Sequence, residues 1–356
     1  MALQHWINKQ NLRETHWETV PDTDLADGQV RLKVDAFALT ANNVTYAAMG
    51  GPPMNYWGFY PTGEKGNGRV PVWGFATVLK SNADGVSEGE RVYGYLPISE
   101  KFDIEAGKIK PDGFSDVAAH RAPLSAIYNR YTRTSADPSY SAEFEAQQML
   151  LRPLYTTGWM ICDSLVEGSG IETVFISSAS SKTALANAHS VKTRTDMKTV
   201  GLTSPANKDF TEATGFYDQV LTYDEASTAS GSNAAYVDFI GRPSLTGEIY
   251  KALGDDLKRT LIIGITDWEA ERTMQPPNSG PMPEFFFVPD YAANRAKALK
   301  PGELDQMVGR DLTAFYPTSK AFLTPQIVKG ADAISKAWTD SVDGKIPPSQ
   351  GLVCQF

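Results

Sequence analysis

VFISSASSKTALANAHSVK, residues 174–192, is the most informative segment of the sequence. It begins with an apolar run, continues through clustered serines and one lysine, and ends with apolar residues at helical spacing. This pattern predicts a buried strand, a tight turn and a helix, and such a turn can present backbone N–H groups to a phosphate. The turn contains no glycine, however. Two interpretations stay open: a nucleotide-binding loop with replaced glycines, or a serine-capped helix after a buried strand.

The serines stand where glycines would be expected. Ser178, Ser181 and Ala184 occupy a one-four-seven spacing. Serine gives up the backbone freedom of glycine, but its hydroxyl can donate to phosphate oxygens and a nearby lysine adds positive charge. The candidate cofactor-binding residues of this turn are Ser178, Ser180, Ser181, Lys182 and Thr183.

The next predicted strand, in KTVGLTSPANK (198–208), ends without Asp or Glu. An acidic residue there would hold the ribose 2′-hydroxyl of NAD and repel a 2′-phosphate. Hydroxyl, amide and amine groups follow instead, which favours NADP(H) over NAD. The candidates for this part of the site are Thr203, Ser204, Asn207, Lys208 and Tyr223, although Lys208 could also be an ordinary surface lysine.

Composition limits the possible functions. A chain of 356 residues predicts two domains, and a net charge of -9 argues against non-specific nucleic-acid binding. The two cysteines and four histidines lack metal-ligand spacing, so no metal is expected, and a site of His with carboxylates is the alternative that stays open. The first thirty residues contain no apolar signal segment, and no stretch of 18 apolar residues occurs. We therefore expect a cytoplasmic protein with no membrane partner.

Two regions of different character follow one another along the chain. Closely spaced strands with glycine turns fill the first 120 residues and predict a small β-barrel. After about residue 125, apolar strands and helices alternate, which predicts an α/β fold with a doubly wound parallel sheet. The predicted elements there are strands 173–177, 199–203, 219–222, 235–240 and 260–265, helices from 182 and over 244–253, and a possible strand at 284–290.

The order of these segments resembles the medium-chain dehydrogenase/reductase superfamily, in particular its zinc-free quinone-oxidoreductase-like branch and a subfamily of unknown function. The segments that carry the resemblance are QVRLKVDAFALTANNVTYAAMG (29–50), VSEGERVYGYLP (86–97), the helix-strand-turn-helix of 152–192, AAYVDFIGRPSLTGEIYKAL (234–253) and KRTLIIGIT (258–266). The resemblance implies a GroES-like catalytic domain over 1–125, completed by 300–356, and a Rossmann nucleotide-binding domain over 126–299. It also implies an active site in the cleft between them.

Carried over by position, the resemblance places further residues at the cofactor. Ser178 through Thr183 would face the pyrophosphate. Phe239, Gly241, Gly264, Ile265 and Thr266 would border the nicotinamide. Thr40 stands where the metal-dependent branch keeps a cysteine, so catalysis would proceed without zinc. By fold analogy, a homodimer could form through an edge strand at 284–290.

Asn43 and Tyr46 lie where that branch usually keeps its polar active-site residues, and they are the catalytic candidates. A one-residue uncertainty in the alignment keeps Thr40, Asn42 and Thr45 as alternatives. Local turn hydrogen bonding is the other explanation for Asn43.

The Gly/Pro-rich loop 50–68 adds aromatic residues to this region. Tyr56, Trp57 and Tyr60 could form a wall for a flat or apolar small-molecule substrate. A plug under the loop or a subunit contact would explain them equally.

These expectations together predict a zinc-independent, NADPH-dependent oxidoreductase that transfers a hydride to a carbonyl, quinone or activated alkene. The alternatives are a binding protein that has lost its cofactor, or a lyase or isomerase on the same scaffold.

Overall fold

The fold was analysed in a computed structural model, which describes residues 1–167, 170–263 and 280–356. Its strands are β1 (Ala2–Asn8), β2 (Thr15–Val20), β3 (Gln29–Leu39), β4 (Asn67–Gly68), β5 (Pro71–Ser81), β6 (Arg91–Pro97), β7 (Lys101–Lys110), β8 (Gly113–Asp116), β9 (Arg130–Arg133), β10 (Thr173–Ile176), β11 (Lys198–Thr203), β12 (Gln219–Thr222), β13 (Ala234–Asp238), β14 (Leu257–Ile262), β15 (Glu284–Phe285), β16 (Thr324–Lys329) and β17 (Gln350–Gln355). Its α-helices are α1 (Ala41–Ala48), α2 (Glu145–Val166), α3 (Lys182–Arg194), α4 (Lys208–Ala213), α5 (Pro243–Leu253), α6 (Val288–Lys297), α7 (Glu303–Ser319) and α8 (Ala331–Val342).

The first of two compact units, the barrel unit, comprises residues 1–150 and 324–356. Its main sheet runs β16-β17-β3-β5-β6-β9-β8-β7, and an additional β3–β7 pairing closes the strands from β3 to β7 into a barrel. Closure leaves no free edge among these strands, and side chains that alternate inward fill the interior. A smaller sheet, β2-β1-β4, completes the unit. This architecture confirms the predicted GroES-like barrel.

The second unit, here the parallel-sheet unit, comprises residues 151–323. Its sheet runs β12-β11-β10-β13-β14-β15, and every pairing in it is parallel. The chain starts in the middle at β10, moves outward to β12, and returns to the other side at β13. Buried apolar residues of these strands and of α5 form its core, as parallel sheets covered on both faces require. The predicted doubly wound α/β fold is confirmed.

The units divide the chain at other positions than the predicted 125/126 and 299/300. Residues 130–133 remain with the barrel because β9 pairs with both β6 and β8. Residues 303–319 remain with the parallel sheet because Phe315 of α7 lies 4.7 Å from the Tyr155 ring and 4.6 Å from the His189 ring. Strand pairing places the first segment in its unit, and side-chain packing places the second. Neither contact between distant segments is visible in local sequence patterns.

The predicted strand at 284–290 is shorter in the structure. Only Glu284 and Phe285 pair with β14, and α6 begins at Val288 with a proline in its first turn. Proline favours a helix start over a continued strand, because its fixed φ suits the first helical turn. Within the described ranges, no helix is long and apolar enough to cross a membrane.

Candidate functional site

The loops that follow β10, β11, β12 and β13 emerge at one edge of the parallel sheet. Parallel pairing places the carboxyl ends of these strands side by side, with Ile176 opposite both Gly201 and Val237. The chain leaves β10 towards β11 but returns at β13 on the other side, so the strand order reverses between β10 and β13. The loops after these two strands therefore lie at the switch point of the sheet. Ligands of doubly wound sheets bind at this type of position.

The turn after β10 is compact despite its lack of glycine. Ser178 has φ +50°, in the left-handed region that glycine favours. Its carbonyl accepts from the N–H of Ser181 at 2.8 Å, and the Ser181 hydroxyl caps α3 by accepting from the N–H of Ala184 at 3.3 Å. The serine-capped helix is therefore present, and it leaves the turn at the positive end of the α3 dipole.

Ser180, Thr203 and Asn207 meet in a small polar cluster at this edge. The Asn207 side-chain amide donates to the Ser180 hydroxyl at 3.2 Å, and the Thr203 hydroxyl donates to the same oxygen at 3.4 Å. Ser204 lies between them in sequence, and its carbonyl accepts from the N–H of Asn207 at 3.0 Å. The structure thus brings together predicted residues from two separate loops.

Two lysines predicted for this site differ in environment. Burial lowers the pKa of Lys182, in the first turn of α3 beside Thr183, to about 8. Lys208 forms an ion pair with Glu225 at 3.1 Å, and Glu225 also accepts from the N–H of Thr222. An anion that arrived beside Lys182 would favour the charged form of its amine.

Tyr223 and Arg242 add a stacked pair at the same edge. Burial raises the pKa of Tyr223 to about 12, against the lowering effects of the Arg242 charge and of hydrogen bonding with Ser178. The Arg242 guanidinium carbon lies 5.2 Å from the centre of the Tyr223 ring. Arg242 escaped the sequence analysis, although its place directly after the turn at Gly241 is a signal that could have identified it.

Phe239 and Gly241 lie in the turn that ends β13. The Asp238 carboxylate fixes this turn by accepting from the N–H of Gly241 at 3.0 Å and from the Ser177 hydroxyl at 2.8 Å. The Ser177 hydroxyl in turn accepts from the N–H of Phe239 at 2.8 Å. The ends of β10 and β13 are therefore joined directly. Gly264, Ile265 and Thr266 lie outside the described residues.

In the barrel unit, Asn43 fixes the start of α1. Its side-chain oxygen accepts from the N–H of Thr40 at 2.7 Å, and its side-chain nitrogen donates to the carbonyl of Pro71 at 3.0 Å. These bonds match the local role that the sequence left open, since they engage both ends of the buried amide. A catalytic role for Asn43 stays a prediction.

Tyr46 belongs to an aromatic cluster in the same unit, defined here as Tyr46, Tyr56, Trp73, Tyr95 and Tyr128. The Tyr46 ring lies 4.6 Å from Tyr56 and 5.5 Å from Tyr95, and its hydroxyl accepts from the Trp73 indole N–H at 3.3 Å. Burial raises the pKa of all four phenols. They therefore stay neutral at physiological pH and can donate hydrogen bonds.

The three residues predicted to contact substrate have different environments in the structure. Tyr56 joins the aromatic cluster. The Trp57 indole fits closely against Gly50 and Gly68, where an added Cβ would lie 2.0 Å and 2.3 Å from its atoms. Tyr60 donates its hydroxyl to the carbonyl of Tyr95 in a short hydrogen bond. The plug interpretation describes the packing of Trp57, while substrate contact stays a prediction for all three.

Three members of the aromatic cluster were missed from the sequence. Trp73 and Tyr95 are directly opposite each other in the β5–β6 pairing. An aromatic residue in each of two consecutive predicted strands was the sequence signal that could have identified this pair. Tyr128 comes from a short 3₁₀ turn, Ala126–Asn129, whose local sequence carries no comparable signal.

The residues at the sheet edge fit a phosphate-bearing nucleotide. They offer a helix N-terminus, the polar cluster around Ser180, and the cations Lys182 and Arg242. In the barrel unit, neutral phenols and an indole could line a site for a flat molecule and donate hydrogen bonds to its oxygen. Among the described residues, no group of three His, Cys, Asp or Glu side chains is arranged to hold a metal ion.

Several solved structures with this fold align over nearly their whole length. CurA from Vibrio vulnificus has a TM-score of 0.67 and 13% identity, with 100% of this chain and 98% of that chain covered. Its complex with NADPH has a TM-score of 0.64 and 12% identity, with 96% and 94% covered. A mutant enoyl thioester reductase from Candida tropicalis has a TM-score of 0.61 and 14% identity, with 100% and 99% covered.

A putative NADPH:quinone reductase from Bacillus thuringiensis has a TM-score of 0.59 and 14% identity, again with 100% and 99% covered. At such low identity these likenesses establish the fold alone, and that fold is the expected one: a GroES-like barrel with a Rossmann-like parallel sheet. No curated protein sequence matches the chain. One family of sequences, described as "Protein of unknown function (DUF2855)", matches residues 37–347. Because residues 37–347 make up most of the chain, the chain belongs to the DUF2855 family.

Proposed function

We propose that this protein is a zinc-independent, NADPH-dependent oxidoreductase that reduces a carbonyl, a quinone or an activated alkene. The observation that carries the proposal is the switch point of the parallel sheet, where the turn after β10 and the start of α3 bring serines and Lys182 to the sheet edge. This is where doubly wound sheets hold the phosphates of a dinucleotide. The CurA structure with NADPH supports the same class, as does a complex of Etr1p with NADP and crotonyl-CoA.

The polar groups at the switch point of the parallel sheet favour NADPH over NADH. The loop after β11 carries hydroxyl, amide and amine groups but ends without a carboxylate that would repel a 2′-phosphate. Lys208 could receive that phosphate by exchanging its contact with Glu225, and Arg242 could do so beside Tyr223. Arginine suits the task because its planar fork donates to two phosphate oxygens at once.

The reduced nicotinamide supplies the hydride when it is bound. In the barrel unit, Tyr46 would donate a hydrogen bond to the substrate oxygen as negative charge develops on it. Because burial raises its pKa, the phenol holds its proton at neutral pH and acts first as a hydrogen-bond donor. The rings of Tyr56 and Tyr128 would orient a flat substrate. Zinc independence follows from the resemblance, since Thr40 replaces the cysteine of the metal-dependent branch.

Nucleotide binding is the first test. Fluorescence titration should show tighter binding of NADPH than of NADH, and Lys182→Glu should weaken NADPH binding at least tenfold because it reverses a charge beside the phosphates. Lys208→Glu should also weaken NADPH binding. Lys192→Glu is the matched control, since it makes the same charge change in the last turn of the same helix. Equal losses in the Lys182 and Lys192 variants would contradict the placement of the phosphates.

Turnover distinguishes the reductase from its alternatives. A screen of quinones, enones and aldehydes should show substrate-dependent loss of the nicotinamide absorbance. Failure to bind either nucleotide would instead support a binding protein that has lost its cofactor, an alternative favoured by the glycine-free turn. Bound nucleotide with conversion of substrate but no net oxidation would indicate a lyase or isomerase.

A further inference from the structure

A cavity of about 280 Å³ lies within the barrel unit, apart from the residues assigned above to nucleotide binding. Its wall carries four cationic side chains and three carboxylates. Three of the cations are paired with carboxylates of the same wall: Arg31 with Asp103 at 2.7 Å, Lys101 with Asp22 at 2.7 Å, and Arg121 with Asp116 at 3.2 Å. Asp22 also pairs with the Met1 amino group at 3.0 Å. Among the side chains of the wall, these pairs cancel in charge and leave the fourth cation, Arg69, in excess.

Arg69 is held by carbonyl groups instead of a carboxylate. Its Nε donates to the carbonyl of Tyr60 at 3.3 Å, and its Nη2 donates to the carbonyl of Pro61 at 2.9 Å. In the part of the chain that the structure describes, no carboxylate lies within 4.0 Å of its guanidinium. The carbonyl bonds fix its position without neutralising its charge.

A second guanidinium lies close by. The guanidinium carbon of Arg121 lies 4.5 Å from the centre of the Tyr60 ring, and the guanidinium carbon of Arg69 lies 5.8 Å from the same point. Burial, with a smaller contribution from the charge of Arg121, lowers the pKa of Arg69 to about 10. Two like charges beside one buried ring repel each other, and an anion in the cavity would relieve that repulsion.

The remaining wall combines apolar residues, among them Val20, Phe59, Pro61 and Phe102, with polar Gln4, Thr23 and His120. A single surplus positive charge matches one negative charge better than a doubly charged phosphate. We propose that this cavity binds a small organic carboxylate, whose apolar body packs on these rings and whose carboxylate pairs with Arg69. The Phe59 ring also lies 5.3 Å from both Tyr95 and Tyr128, so the ligand would adjoin the aromatic cluster.

Benzoate is a suitable probe, and benzamide is its neutral analogue of nearly equal shape. Calorimetric titration of the full-length protein without nucleotide should show saturable binding of benzoate at least tenfold tighter than that of benzamide. Arg69→Gln should weaken benzoate binding at least tenfold. Arg130→Gln should leave it unchanged, because Arg130 pairs with Asp112 outside the cavity.

Three results would overturn the proposal: no saturable benzoate binding, equal affinity for benzoate and benzamide, or undiminished benzoate binding by a folded Arg69→Gln protein. If that variant does not fold, the comparison of benzoate with benzamide on the unchanged protein still decides. Because the titration contains no nucleotide, its outcome is independent of the proposed reductase activity.

Discussion

Ser178 occupies a backbone conformation that costs energy for every residue except glycine. Its φ of +50° brings Cβ too close to neighbouring backbone, at a cost of about 1 kcal/mol. The chain tolerates it because the carbonyl of Ser178 accepts from Ser181, and the side chain interacts with Tyr223. A glycine at this position would keep the backbone bond to Ser181 but would lose the side-chain contact with Tyr223.

The strain at Ser178 can be measured by comparing two substitutions that both remove the hydroxyl. Ser178→Ala keeps Cβ, whereas Ser178→Gly removes it and relieves the backbone. We expect the glycine variant to be more stable than the alanine variant by about 1 kcal/mol, measured by denaturant unfolding. The alanine variant serves as the control for the lost hydroxyl. Equal stability of the two variants would show that the turn stores no strain at this residue.

At the scale of elements, α2 and α3 cross at Gly158. A Cβ at this position would lie 2.5 Å from the backbone nitrogen of Asn187, which is far inside contact distance. The Asn187 side chain donates to the carbonyl of Gly158 at 2.9 Å and fixes the same crossing. The small residue therefore sets the separation between α2 and α3, the helix that follows the turn after β10.

Gly158→Ala should destabilise the protein by about 1–3 kcal/mol, because the backbone of α3 must move to make room. Gly247→Ala is the matched control, since Gly247 lies in α5 with nothing within 4 Å of its added Cβ. That control should be neutral or stabilising by about 0.5–1 kcal/mol, because alanine has the higher helix propensity. Thermal and denaturant unfolding of both variants measure the difference. A similar loss of stability in the Gly158→Ala and Gly247→Ala variants would show that close packing at Gly158 is not the cause of the destabilisation.

The elements at the sheet edge were predictable because their signals are local. Strand β12 was predicted at 219–222 and lies there, and the helix start at Lys182 is likewise observed. The aromatic cluster was less accessible, since Trp73 and Tyr95 meet only through cross-strand register and Tyr128 arrives from a distant turn. Local periodicity reveals elements, whereas a site built from side chains of several strands depends on pairings between distant segments.

At the scale of the whole molecule, two histidines, one in each unit, are held in the neutral form: His5 is buried and His189 is half-buried. In the barrel unit, burial lowers the pKa of His5 to about 3, with a smaller contribution from His16. The ring packs 4.8 Å from Trp17, and neither of its nitrogens has a hydrogen-bond partner within the described ranges. In the parallel-sheet unit, burial lowers the pKa of His189 to about 4, opposed by the charge of Asp311.

These histidines make the stability of the protein sensitive to acid. Both folded pKa values lie below the unfolded value of about 6.5, so the unfolded chain takes up protons first as the pH falls. Their contribution to stability is fully present above pH 6.5 and is lost below it, by about 1.4 kcal/mol per pH unit for each histidine. Between pH 6.5 and 5, each should therefore cost about 2 kcal/mol.

The replacements His5→Phe and His189→Phe keep an aromatic ring beside Trp17 and Phe315, respectively, but remove the titrating group. Denaturant unfolding at several pH values from 7.5 to 5 should show a flatter decline in the free energy of unfolding for each variant than for the unchanged protein. The curves should diverge below pH 6.5 and not above it, because both proteins are uncharged at that ring in the upper range. Curves that remain parallel down to pH 5 would show that neither histidine is held neutral by the fold.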